Sequence, residues 1–135
     1  MTELTGHFDG LGLTELCRVF AVDEPHPVNG AHHRYRLWRY VGELPAGTPV
    51  EVPPRMDAGH IRFQRGPRNT PGSTLGTLDG AVLEVLIHRM ECFQRGPYAC
   101  DANAEILGHL TAARELLKQR AQERAARGVL GKNEK

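Results

Sequence analysis

The chain has little of what would announce a function. Its 17 Lys and Arg residues stand against 16 Asp and Glu, a formal net charge of +1, so no global field draws it to nucleic acid or a membrane and any anion site must be local. No apolar run approaches the ~20 residues of a membrane span, and Met1-Thr2-Glu3-Leu4-Thr5 lacks the basic and apolar parts of a signal peptide. The cytoplasm is the expected compartment. Cys17, Cys92 and Cys100 are odd in number and lack CxxC spacing, which argues against a disulfide framework and a zinc cage and leaves free thiols. His32 and His33, as strand neighbours, would point to opposite faces, and His88 and His109 are read as having no partner at i, i+4. No metal site is expected. No nucleophile–base pair, acid–base couple or Walker A loop stands out, so the expectation is a non-enzyme without a cofactor.

What is present is an ordinary composition, 135 residues with 40% hydrophobic and 24% charged, able to bury roughly two-thirds of the unfolded surface around one core. Met1 to Gly12 is Gly-rich and short on pattern, and reads as a loosely held end. Leu13–Val22, His32–Val41, Thr48–Val52 and His60–Gln64 are short runs of β-branched, aromatic or alternating residues. Turn-formers separate them: Asp23 to Gly30 with its Asn29-Gly30, Gly42 to Gly47, and Pro53 to Gly59. This half predicts a small antiparallel sheet. In the second run Tyr35, Leu37 and Val41 share a face with Arg39, and Arg34, Arg36, Trp38 and Tyr40 share the other. Arginine interleaved with aromatics is open to two readings, a sheet with Trp38 and Tyr40 in an interface, or a nucleic-acid-binding or protein-interaction module using strand 32–41.

The second half is organised around a phrase stated twice, Phe63-Gln64-Arg65-Gly66-Pro67 and Phe93-Gln94-Arg95-Gly96-Pro97. Both copies end in Gly-Pro and read as corners where an element stops. Gly66 to Gly76 predicts a loop running into a helix capped by Thr77. Such a loop can cradle phosphate, and because Asp79 repels an anion at the helix end, the phosphate would sit beside Arg68. A first helix is predicted from about Leu78 to Arg95, with Leu83, Leu86, Met90 and Phe93 inward, widened by Val82 and Ile87, and Glu84, His88 and Glu91 wet. A short link leads to a second helix, about Asp101 to Arg127, and implies an antiparallel hairpin. The expected fold is therefore α+β: a small antiparallel N-terminal sheet (1–65) followed by a C-terminal antiparallel two-helix hairpin (66–135), one compact unit.

At heptad spacing the second helix carries Asn103, Ile106, Leu110, Ala113, Leu117, Arg120, Arg124 and Arg127, a seam that turns from amide to apolar to guanidinium. Either the helix outruns its partner, with Glu123 pairing Arg127, or an anion occupies the seam. Arg120 lies ~25 Å from Asn103 at ~1.5 Å per residue, so Phe93 and Asn103 at one end and Arg120 and Arg124 at the other could serve one site only between protomers of an oligomer.

The blocks Ile61 to Pro67, Glu91 to Cys100 with Asn103-Ala104, and Arg120, Arg124 and Arg127-Gly128-Val129 with Gly131 together span about Gly59 to Gly131. They resemble the phage anti-defence sponge proteins, the anti-CBASS cyclic-nucleotide sponge and the Thoeris anti-defence sponge, which share a helical hairpin domain. The β-rich first half looks more like the Thoeris type. The resemblance implies a non-catalytic homohexamer that sequesters cyclic nucleotide immune signals in the cytoplasm of an infected bacterium, without membrane or polymeric nucleic acid as partner. It implies Phe93 stacking on a base, Asn103 hydrogen-bonding nearby, and Arg120 and Arg124 holding glycocyclic ADP-ribose or cyclic dinucleotides. Arg68, Gly72, Thr74 and Gly76 match the region that holds cyclic trinucleotides in relatives. The tail departs from the family, with Gly128-Val129-Leu130-Gly131-Lys132 where relatives commonly carry Gly-Val-Glu-Gly-Thr.

Overall fold

A computed structural model describes residues 1–12, 16–41, 55–66 and 70–129. The chain divides into two compact units, Met1–Arg62 and Phe63–Lys135.

The first unit is a four-stranded antiparallel meander of order β1-β2-β3-β4, with β1 Thr2–Leu4, β2 Cys17–Ala21, β3 Arg34–Val41 and β4 Arg55–Arg62. Val19 lies across from Leu37, and Tyr35 stands between Ala21 and Ile61, so the apolar members of the three longer strands share one face, as period-two alternation requires. Ala21 is 3% exposed there. The β2–β3 connection is built on Asp23, whose carboxylate accepts the backbone N–H of His33 at 2.9 Å and of Arg34 at 3.2 Å. Within it the Asn29-Gly30 pair does not make a two-residue hairpin turn. Gly30 adopts φ 75° and donates its N–H to the His26 carbonyl, while the Asn29 side chain accepts from Ala31 N–H.

Two sequence expectations change here. The N-terminal end is tied down: Thr2–Leu4 pairs with Val19–Ala21, and the His7 imidazole meets the Cys17 carbonyl at 2.7 Å. Its three-residue strand was too short to show alternation. The fourth strand begins at Arg55, inside the run read as a turn, because cross-strand pairing with β3 outweighs the poor strand propensity of Asp57 and Gly59. A Cβ at Gly59 would lie 2.9 Å from the tip of the Arg39 side chain, which spans to Asp57 at 3.6 Å and is free to shift aside. The expected strand Thr48–Val52 lies outside the described residues.

The second unit opens with Phe63 and Arg65 bridged to Thr77 and Thr74, and continues into α1 Asp79–Arg95 and α2 Asp101–Ala126. The N-cap of α1 is Leu78, with no side-chain cap; Thr77 is instead held in its bridge and accepts Gln64 N–H at 3.3 Å. The two copies of the repeated pentapeptide thus take different conformations. Phe63-Gln64-Arg65 is extended, whereas Phe93-Gln94-Arg95 is the last turn of α1. Gly66 needs φ 86°, and Gly96 is ordinary extended backbone. In the second copy the Gln94 amide braces the corner in both directions, donating to the Cys100 carbonyl and accepting its N–H, each at 3.1 Å.

Candidate functional site

Helix α1 turns toward α2 a line centred on Ile87, which is 0% exposed, with Leu83, Met90 and Gln94 beside it. The stripe expected from spacing is rotated: Leu86 is 45% exposed and Phe93 38%. On α2 the half-buried line is Asn103, Leu107, Leu110, Arg114 and Leu117. The heptad seam drifts away from it because a straight helix turns ~3.6 residues per turn, and a strict seven-residue repeat slips ~20° each time. Ile106 is consequently 44% exposed, and Arg120 is exposed.

Projecting both helices at ~3.6 residues per turn, with their packed lines facing and their directions opposed, puts the two displaced flanks on the same broad side of the hairpin. That side carries Val82, Leu86, Arg89 and Phe93 from α1 and Ile106, Ala113, Arg120 and Arg124 from α2. The level of the pairing is fixed by Arg114, whose guanidinium reaches Glu84 at 3.2 Å. In an antiparallel pair this sets Asp79 near Gln119, so Arg120, Arg124 and Arg127 lie beyond the start of α1. Arg114 was missed in the sequence because a guanidinium at an inward position of a helix is read as solvent-facing.

At the corner end, Phe93 lines an open cleft of about 380 Å³ with His88, Arg89, Cys92, Gly96, Pro97 and Tyr98. The Arg89 guanidinium lies over the Phe93 ring, 5.5 Å from its centroid, one helical turn earlier. Asn103 donates its side-chain N–H to the Tyr98 carbonyl at 3.3 Å and so holds the aromatic residue of the corner in place. The cleft therefore offers an apolar ring beside a cation, an arrangement suited to a planar heterocycle carrying negative charge.

The expectation that His88 and His109 lack i, i+4 partners is corrected. Cys92 Sγ lies 3.7 Å from His88 Nε2 and 3.3 Å from the Arg95 guanidinium, and His109 meets Glu105 at 3.8 Å. His88 and Cys92 stand four residues apart in the sequence, a spacing that puts them on one face of α1. Both Cys92 and His88 are exposed, and among the described residues no carboxylate hydrogen-bonds the imidazole to orient it as a base. Nor do the described residues contain a group of three His, Cys, Asp or Glu placed to hold a metal.

At the other end Arg124 donates to the Val129 carbonyl at 3.0 Å, and Arg127 is paired with Glu123, as the spacing implies. Phe93 and Asn103 thus both belong to the corner end, Phe93 in the cleft and Asn103 on the Tyr98 carbonyl, while Arg120 and Arg124 lie toward the far end of α2. One chain does not join the two groups. In the loop before α1, Gly72 has φ 86°, and Thr74 exchanges both backbone hydrogen bonds with Arg65 at 2.8 Å. Ser73 N–H is taken by the Thr70 carbonyl at 3.1 Å, and Gly76 is exposed. Arg68 lies outside the described residues.

No described helix is long and apolar enough to cross a membrane. No protein-family model matches the chain. It is similar to Thoeris anti-defense 1 of Bacillus phage SBSphiJ7, 33% identical over 75 residues, which are 56% of this chain and 52% of that protein, so the chain spans about half the length of the relative it matches.

Proposed function

We propose that the chain is a phage anti-defence protein acting by stoichiometric binding: it sequesters a cyclic nucleotide signal from a bacterial defence effector in the host cytoplasm without converting it. The observation that carries this reading is the single broad side of the hairpin, with the Phe93–Arg89–Tyr98 corner at one end, Arg120 and Arg124 at the other, and exposed Leu86 and Ile106 between. A second protomer laid antiparallel on that side would bring the corner of one chain to the arginines of the other, an isologous arrangement that closes on itself. Two such sites form per pair, and further contacts build the homohexamer. The similarity to Thoeris anti-defense 1 supports the anti-defence role. Glycocyclic ADP-ribose and cyclic dinucleotides fit the pairing of a stacking ring with guanidinium groups. The loop bearing Arg68, Gly72, Thr74 and Gly76 is the second candidate place, for cyclic trinucleotides.

Sequestration of a scarce signal demands nanomolar binding, about −12 kcal/mol. Stacking at ~1–3 kcal/mol per base, added to desolvated Arg–phosphate bonds, reaches that value only when a partner protomer closes the open cleft. The test is calorimetry against glycocyclic ADP-ribose and a panel of cyclic di- and trinucleotides, followed by heat denaturation and chromatography of the released ligand. Tight binding and return of the ligand unchanged are expected. Absence of binding across the panel refutes the reading, and recovery of an altered ligand makes the protein an enzyme.

A further inference from the structure

The sheet unit has a face that the proposed function does not use. Its register sets Arg34 directly across from Arg62, Arg36 across from His60 and from Phe20, and Arg18 across from Trp38, all on the side opposite the Tyr35–Leu37 face. Arg18 is neutralised by a two-pronged bond to Glu3 at 2.7 and 2.8 Å. Among the described residues no carboxylate pairs with Arg34, Arg36, His60 or Arg62. Arg36 lies over the Trp38 ring, 5.8 Å from its centroid, and its Nε is buried without a hydrogen-bond partner.

Folding alone gains nothing from this layout. Like charges directly opposite on an antiparallel pair oppose sheet formation, and a buried guanidinium N–H without an acceptor does the same. A chain of phosphates laid over the face relieves the repulsion. The backbone positions that carry these cations are spaced ~4.8 Å across strands and ~6.8 Å along β3, the scale of successive phosphates in an extended single strand. The half-buried rings of Trp38 and Phe20, each next to a guanidinium, offer bases a stacking surface that an acidic peptide would not use. The excess is local and so is compatible with the near-zero net charge of the whole chain.

We infer that this face of the sheet binds single-stranded nucleic acid, with Arg34, Arg36 and Arg62 on phosphates and Trp38 against a base. The inference is independent of the hairpin site. The experiment is fluorescence anisotropy of labelled oligothymidylate and oligouridylate with the full chain over a range of salt. Saturable binding is expected, with log K falling against log salt at a slope of about −2 to −3, since ~0.7 arises per phosphate neutralised on a single strand. Arg62→Glu, which turns the opposed pair into an ion pair, should weaken binding at least about tenfold while leaving the Trp38 thermal transition at or above that of the unaltered protein. Arg120→Ala with Arg124→Ala should leave oligonucleotide affinity unchanged. No saturable binding at about 50 mM salt, unchanged affinity in Arg62→Glu, or displacement of the oligonucleotide by polyglutamate at equal charge would each overturn the inference.

Discussion

A site shared between protomers makes a prediction that a site within one chain does not. Two variants are prepared, Phe93→Ala and the double change Arg120→Ala with Arg124→Ala. In the first, loss of a stacking platform should cost ~1–3 kcal/mol of signal binding. In the second, two charge-assisted interactions at ~1.5–3 kcal/mol each are lost, together about 3–6 kcal/mol or ~10²- to 10⁴-fold. The double arginine variant alone should therefore appear inactive at concentrations where the unaltered protein saturates, and Phe93→Ala alone should bind ~5- to 160-fold more weakly. Mixed in equal amounts and allowed to exchange subunits, about half of the antiparallel pairs should be heterodimers, each with one site doubly defective and one site fully intact. Calorimetry on the mixture should then recover tight binding with a stoichiometry of about one quarter of the unaltered value. Phe93 and Arg120 are exposed and Arg124 is half-buried, its guanidinium on the Val129 carbonyl, so light scattering checks that the assembly survives both changes. Recovery of no tight sites in a mixture shown to exchange would refute the shared site.

Two further outcomes follow from the local geometry. The Asp23 carboxyl is held below the usual carboxylate range: burial pushes it up, and the N–H groups of His33 and Arg34, its own backbone and nearby His32 outweigh that. A depressed folded-state pKa contributes stability above the unfolded value and loses it as pH falls, so Trp38 fluorescence melts should weaken below about pH 4, and Asp23→Asn should flatten that dependence; a profile unchanged by the substitution would contradict the assignment. Gly66→Ala places a Cβ 2.5 Å from Ser73 Oγ at φ 86° and should cost the hairpin unit about 1–3 kcal/mol in urea denaturation, whereas Gly96→Ala, at negative φ, should cost less than about 1; equal costs would be the wrong result.

The α+β order, both helices and the corner between them were legible in the sequence, because 3.6-residue spacing and Gly-Pro punctuation are local signals. The direction each helix faces was not. Phe93 and Leu86 look like core residues in any periodic reading, and only the packing of Ile87 against α2 shows that they sit on a flank. The sheet failed at its edges for a related reason: Arg55 to Gly59 is strand because β3 is there to pair with it. Phe93 and Asn103 are expected as site residues from resemblance alone, while Arg89 and Cys92 emerge only from their distances to Phe93 and His88.

The repeated pentapeptide carries a last consequence. In the unfolded chain the two copies are locally degenerate, and nothing within those five letters decides which becomes helix. The decision is made by distant groups: the Arg65 amide is protected only while Thr74 faces it, and the second copy stays helical while Cys100 closes on Gln94. An antibody raised against the free peptide would find one epitope in two shapes, and the fraction of chains it captures at each would report which half of the molecule has come undone.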